Sequence, residues 1–194
     1  MYLLRKGFYM KRTLAFAAII AAGLSLWIAG TAIAQREQRR ERNRVPNQNR
    51  LSEKDKEFML EAASGGMLEV KLGKIAEDQV ASPAVKKFGA LMVRDHTDLN
   101  KQLMDLAERK GVNIPKKMNE KDQAEFEKLS KLNGADFDAT YIKRMVADHV
   151  HDVSAFETEA NDGQDPDVRA FANKALPTLR DHLERARELA TRIR

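Results

Sequence analysis

The stretch SPAVKKFGALMVRDHTDLNKQLMDLAERKG, residues 82–111, decides how the rest of the chain is read. Ser82-Pro83 suits an N-cap followed by proline in the first helical turn, where a missing N–H breaks no bond. Gly111 stops the run, with Lys110 in the last turn and Pro115 beyond it. In between, Phe88, Met92, His96, Leu99 and Leu103 are spaced four, four, three and four, which is the apolar row of an amphipathic helix. A histidine therefore stands in the middle of a core-facing stripe.

Working outward, the same spacing returns. Tyr141, Met145, His149, Asp152 and Phe156 form one such row, and Ala175, Leu179, His182, Ala186 and Leu189 form another. Phe58, Ala62, Gly65, Glu69, Leu72 and Ala76 make a fourth. A shift of 83 residues lays Phe58 on Tyr141, Glu69 on Asp152, Pro83 on Pro166 and Phe88 on Phe171. The match slips by three before the histidines, around Pro177, where a helix-interior proline predicts a kink.

Ser52 and Asp55 resemble a capping box opening a helix over 53–79. A short helix is expected over 120–132, capped by Asn119 and ended by Gly134, then a long one over 136–161. Asp165-Pro166 opens the last. No segment alternates with period two. The expected fold is all-α: an antiparallel four-helix bundle of two helical hairpins, with a short extra helix in the connection between them.

Counting from the hairpin midpoints puts His96, His149 and His182 at one level of the bundle, facing Gly65-Gly66. Glu69 and Asp152 lie about one turn away, roughly 5 Å. Buried polar groups must be paired or bound, and two outcomes are open. One is a single transition-metal ion (Fe, Mn, Zn or Cu) held by Glu69, His96, His149, Asp152 and His182, with Asp95, Asp148 and Asp181 orienting the rings from behind. The other is a hydrogen-bonded network that staples the helices without an ion. Met92 and Met145, one turn before two of the histidines, add copper chemistry as a further reading, against ordinary core filling. His151, on the far side of its helix, is expected in solvent.

Residues 1–34 read as an address. A basic start precedes the uncharged run TLAFAAIIAAGLSLWIAGTAIA, which ends in Ala32-Ile33-Ala34, a signal-peptidase pattern. The run also approaches the ~20 residues of a bilayer span, so an uncleaved inner-membrane anchor over 13–34 is the alternative. Either way the expected destination is the periplasm or envelope. The formal charge of +5 falls to +1 without Arg5, Lys6, Lys11 and Arg12. Segment 35–50, with six Arg against two Glu, carries +4, which leaves 51–194 at −3. This segment is expected to be a disordered linker, with weak contact to anionic headgroups or cell-wall polymers as the alternative. Nucleic acid is excluded as a partner of 51–194, which lacks both a basic excess and any Trp. The chain has no Cys, so neither a disulfide nor a thiolate metal site is available.

Four segments in order, AASGGMLEVKLGKIA, VKKFGALMVRDHTDLNKQL, YIKRMVADHVHDVSAFE and ALPTLRDHL, resemble the exported bacterial domain-of-unknown-function family numbered 4142, over about 55–190. The resemblance implies a ferritin-like bundle, an outer-membrane or periplasmic setting, no settled activity and, by analogy, a part in envelope stress tolerance. The di-iron enzymes of ferritin-like fold carry Glu-x-x-His. Here the position three before each histidine holds Val93, Val146 or Leu179, which disfavours an oxygen-activating di-iron oxidase. Phosphate-loop and nucleophile-elbow motifs are also missing, and Ser64 beside two glycines reads as packing. The leading expectation is a non-catalytic exported bundle with a binding or structural role. The alternative is a metal-binding or metal-dependent redox protein built on the histidine layer.

Overall fold

The computed structural model describes residues 51–79 and 82–193, so the leader and the Arg-rich linker expected over 1–50 lie outside the described residues. Those residues form five helices and no strand: α1 (Glu53–Gln79), α2 (Pro83–Lys110), α3 (Glu120–Leu129), α4 (Gly134–Asp162) and α5 (Pro166–Arg192). The architecture is a helical bundle. The longest contact surfaces are α1 on α2 and α4 on α5, and the pairs meet through α2 with α5 and α1 with α4. The short α3 lies against α1 and α4.

The helix ends follow from local chemistry. The Asp55 N–H donates to Ser52 Oγ at 3.0 Å, and the Asp122 N–H to the Asn119 side chain at 2.8 Å. Asp165 Oδ1 accepts from the N–H groups of Asp167 and Val168 ahead of α5. Gly111, at φ 68°, closes α2. Two expectations are corrected here. Asp55 does not complete a capping box; its carboxylate accepts from the N–H groups of Gln164 and Asp165, at 3.0 and 2.9 Å, tying the start of α1 to the α4–α5 turn. Gly134 does not end the short helix, which stops at Leu129. With φ 53° it is the first residue of α4, taking the left-handed conformation as the chain turns.

Pro177 sits inside α5, which runs unbroken from Pro166 to Arg192. It is exposed, so water can satisfy the carbonyl that loses its partner. Helices α1 and α2 approach most closely at Gly73 and Gly89. A Cβ on Gly73 would stand 2.9 Å from the Gly89 carbonyl, and one on Gly89 would stand 2.6 Å from Ala76 Cβ. No side chain fits between these backbones.

The apolar interior has two parts. One gathers Leu68, Leu72, Phe88, Met92, Tyr141 and Met145. The other gathers Met59, Leu103, Phe156, Phe171 and Leu179. Along α2, α4 and α5 the histidine falls between the residues that feed the two parts, so a polar layer crosses the bundle between two hydrophobic clusters. Among the described residues no helix is long and apolar enough to cross a membrane.

Candidate metal centre

The layer consists of His96 from α2, His149 from α4, His182 from α5 and Glu69 from α1, none more than 3% exposed. The ring centroids are 5.2 to 5.5 Å apart. One nitrogen from each ring lies within 4.8 Å of the others, and this converging set contains the three histidines alone among the described residues.

Each ring is held from behind by one nitrogen. His149 Nδ1 stands 2.9 Å from the Met145 carbonyl, an acceptor only, so this nitrogen carries the proton and donates it. His182 Nε2 donates to Asp95 Oδ2 at 2.9 Å, reaching from α5 to α2. His96 Nδ1 pairs with Glu69 Oε2 at 2.8 Å. A backbone carbonyl and carboxylates on the outer nitrogens are the usual supports of metal-bound imidazoles.

The inner nitrogens are left without complementary partners. His149 Nε2 and His182 Nδ1 face each other at 3.2 Å. Burial depresses both rings: it lowers His149 against the pull of the Glu69 charge. It holds His182 down to about 4 despite the hydrogen bond to Asp95, with His96 and His149 adding to the depression. In the neutral rings with these tautomers, both facing nitrogens present lone pairs. Two acceptors at hydrogen-bond distance repel unless a cation or a proton lies between them. His96 Nε2 and Glu69 Oε1 are also buried without a hydrogen-bond partner, and that oxygen is 3.5 Å from His149 Nε2.

The spacing of one ring pair is that of metal-bound imidazoles. Two imidazole nitrogens bound at ~2.0–2.1 Å to a tetrahedral ion stand about 3.3 Å apart, close to the 3.2 Å of the His149–His182 pair. Three buried imidazoles with one carboxylate form a donor set for a first-row transition ion. Burial works to raise the Glu69 carboxyl, but the charges of His96 and His149 and the hydrogen bond from His96 outweigh it and hold Glu69 below its usual value. Both its oxygens face the ring cluster, Oε2 toward His96 and Oε1 toward His149.

The sequence profile of the domain-of-unknown-function family DUF4142 matches residues 40–189. The chain belongs to the DUF4142 family. Two solved structures share the fold of this DUF4142 chain. The crystal structure of a DUF305 fragment from Deinococcus radiodurans superposes with a TM-score of 0.64 at 13% identity, covering 74% of this chain and 99% of that one. CopM in its Cu(II)-bound form superposes with a TM-score of 0.56 at 12% identity, covering 71% and 96%. No match was found among curated proteins.

Other predicted residues of the DUF4142 domain stand elsewhere. Asp152 lies on α4 and lines a pocket beside Glu69 rather than joining the converging nitrogens. Burial, then the charges of Glu69, Asp148 and Asp122, raises its carboxyl well above the usual range. Asp148 and Asp181 do not back a ring. Each lies one turn from an arginine on its own helix and pairs with it at 2.7 Å, Asp148 with Arg144 and Asp181 with Arg185. Asp148 is nonetheless raised to about 6, by burial first, against the pull of Arg144. Met92 and Met145 are buried in the apolar cluster, so their place is core. His151 is exposed.

The glycine pair is also corrected. A Cβ on Gly66 would collide with the Asn100 carboxamide, so the space there serves Asn100 rather than a ring, while a Cβ on Gly65 would meet nothing within 4 Å. Ser64 is structural: its hydroxyl donates to Asp122 Oδ2 and accepts the Asn119 N–H at 2.9 Å, fixing α3 to α1. Asp122 and Asn100 escaped the sequence reading because neither repeats between the two halves of the chain.

Proposed function

We propose that this DUF4142 domain binds one transition-metal ion between His96, His149 and His182, with Glu69 as the fourth donor. The observation that carries this reading is the pair of lone-pair nitrogens, His149 Nε2 and His182 Nδ1, facing each other at 3.2 Å with their outer nitrogens already engaged. Imidazole donors suit Cu2+ and Zn2+, and Cu2+ leads the affinity order among first-row ions. A structurally similar protein, CopM, has a Cu(II)-bound form; at that identity the likeness speaks for the fold, and the donor set of this chain speaks for the ion. A ferritin-like topology and an exported, envelope setting belong to the same proposal, supported by the paired helices and by the leader pattern over 1–34.

The test is elemental analysis of the full chain equilibrated with Cu2+ or Zn2+ and freed of unbound ion. Stoichiometric metal that disappears in His96→Ala and His149→Ala is the expected result; no retained metal in the wild-type chain overturns it. A second reading, a polar staple without an ion, draws on the fact that every ring already has one protein partner. It predicts a proton shared between His149 and His182 in place of the ion, visible as a ring N–H resonance in the metal-free chain.

A further inference from the structure

A pocket of about 200 Å³ opens between α1, α3 and α4. Its walls carry the carboxylates of Glu61, Glu69, Asp122, Asp148 and Asp152 against the cations of Lys121 and Arg144. Arg144 is already engaged, at 2.7 Å with Asp148 and 4.0 Å with Glu125. With Arg144 and Asp148 neutralising each other, Glu61 and Asp122 stand against Lys121, so the lining keeps a net negative charge that draws cations.

What this pocket leads to is visible in its lining. A second, smaller cavity of about 20 Å³ borders His96, Asn100 and Leu179. The two spaces share Ala62, Gly65, Glu69, Asp152 and Phe156 as common walls. At Gly65 the partition is thin, since a Cβ built there meets no atom within 4 Å. Glu69 reaches across it: Oε2 holds His96 at 2.8 Å, while Oε1 is buried with no hydrogen-bond partner. This unpartnered carboxylate oxygen, on a residue only 2% exposed, is a second sign of a cationic ligand besides the acidic walls.

From this geometry we infer that the acidic pocket is the inlet through which a cation reaches the three histidines, with Glu61 on its outer wall, Gly65 as the aperture and Glu69 as the carboxylate that spans the partition. The inference rests on the metal-centre reading above. It assigns roles to Glu61 and Gly65, which hold no ring in place, and gives a centre with no ring more than 3% exposed a route that needs no unfolding. The inner cavity is large enough for one water, so an ion crossing the partition must shed most of its hydration shell.

The test follows the rate of Cu2+ uptake by the metal-free full chain in stopped-flow absorbance, across ionic strength. Gly65→Leu places a side chain in the aperture and removes no donor. It is expected to slow uptake about tenfold or more, the scale on which focused fields and open access set on-rates, with the final bound amount unchanged. Glu61→Gln, which removes a charge from the pocket wall, is expected to slow uptake and flatten its salt dependence. Gly65→Leu that is folded by circular dichroism and fills at the wild-type rate overturns the inlet. Should Gly65→Leu fail to fold, a Glu61→Gln variant with wild-type rate and salt slope overturns it equally. Wild-type chain that takes up no Cu2+ or Zn2+ refutes the centre itself, so the two failures are told apart.

Discussion

His149→Leu separates an ion site from a structural staple, because leucine fills similar space and removes both nitrogens. His149 is fully buried, and its one settled bond is Nδ1–H to the Met145 carbonyl at 2.9 Å. That carbonyl lies inside α4 and keeps its helical partner, so the substitution orphans no backbone group. The lost hydrogen bond costs about 1 kcal/mol net, and removal of a desolvated lone pair from the facing contact offsets much of it. The metal-free variant is therefore expected within about 1 kcal/mol of wild type. With metal the two chains part. An ion present at 100 times its dissociation constant stabilises the folded state by about 2.7 kcal/mol, which raises the Tm of a domain near this size by about 5–11 °C. Wild type is expected to show that rise with Cu2+ or Zn2+, and His149→Leu to show little of it. The assay is a pair of thermal melts by circular dichroism with and without metal. A wild-type chain whose Tm ignores both ions, or a leucine variant that gains as much as wild type, refutes the reasoning.

Three further outcomes follow from the geometry. His182 titrates near 6.5 when unfolded and is held to about 4 in the fold, so the unfolded chain binds the extra proton between those values. Stability of the metal-free chain should fall as pH drops through that window, by at most about 3 kcal/mol; urea midpoints in His182→Leu should lose this component, and an unchanged pH slope would count against it. The neighbouring glycines should respond unequally: Gly65→Ala gains about 0.4–1 kcal/mol because its Cβ meets open space, whereas Gly66→Ala gains less, since the Asn100 carboxamide must swing aside, both read from Tm. Asp55→Ala removes the acceptor of the Gln164 and Asp165 N–H groups. It should cost about 1–3 kcal/mol and speed amide exchange at both residues.

Much of this fold is written in periodicity. The three-and-four spacing around His96, His149 and His182 places them inside because a helix stripe that buries Met92, Met145 and Leu179 also buries whatever stands one turn further along. Proline, asparagine and serine at helix starts marked the ends for the same local reason. What escaped the sequence lies between helices. Asp95 is next to His96 in the chain yet holds His182, a choice made by the α2–α5 contact that no local pattern encodes. Asp148 and Asp181 looked equivalent to it and turned to Arg144 and Arg185, because an ion pair one turn away on the same helix needs no tertiary partner. The Gly73–Gly89 approach was equally silent, since a glycine in a helix announces its neighbour only once the helices are docked.

The belt of imidazoles and carboxylate between two oily halves also acts as a vernier for the helices. Sliding α5 by a single turn, about 5.4 Å, would push His182 into hydrocarbon and strip Asp95 of its donor, whereas an all-leucine interior would tolerate the slip. The same few polar atoms thus forbid a family of near-miss packings, so that one alignment of the rods is selected before any ion is met.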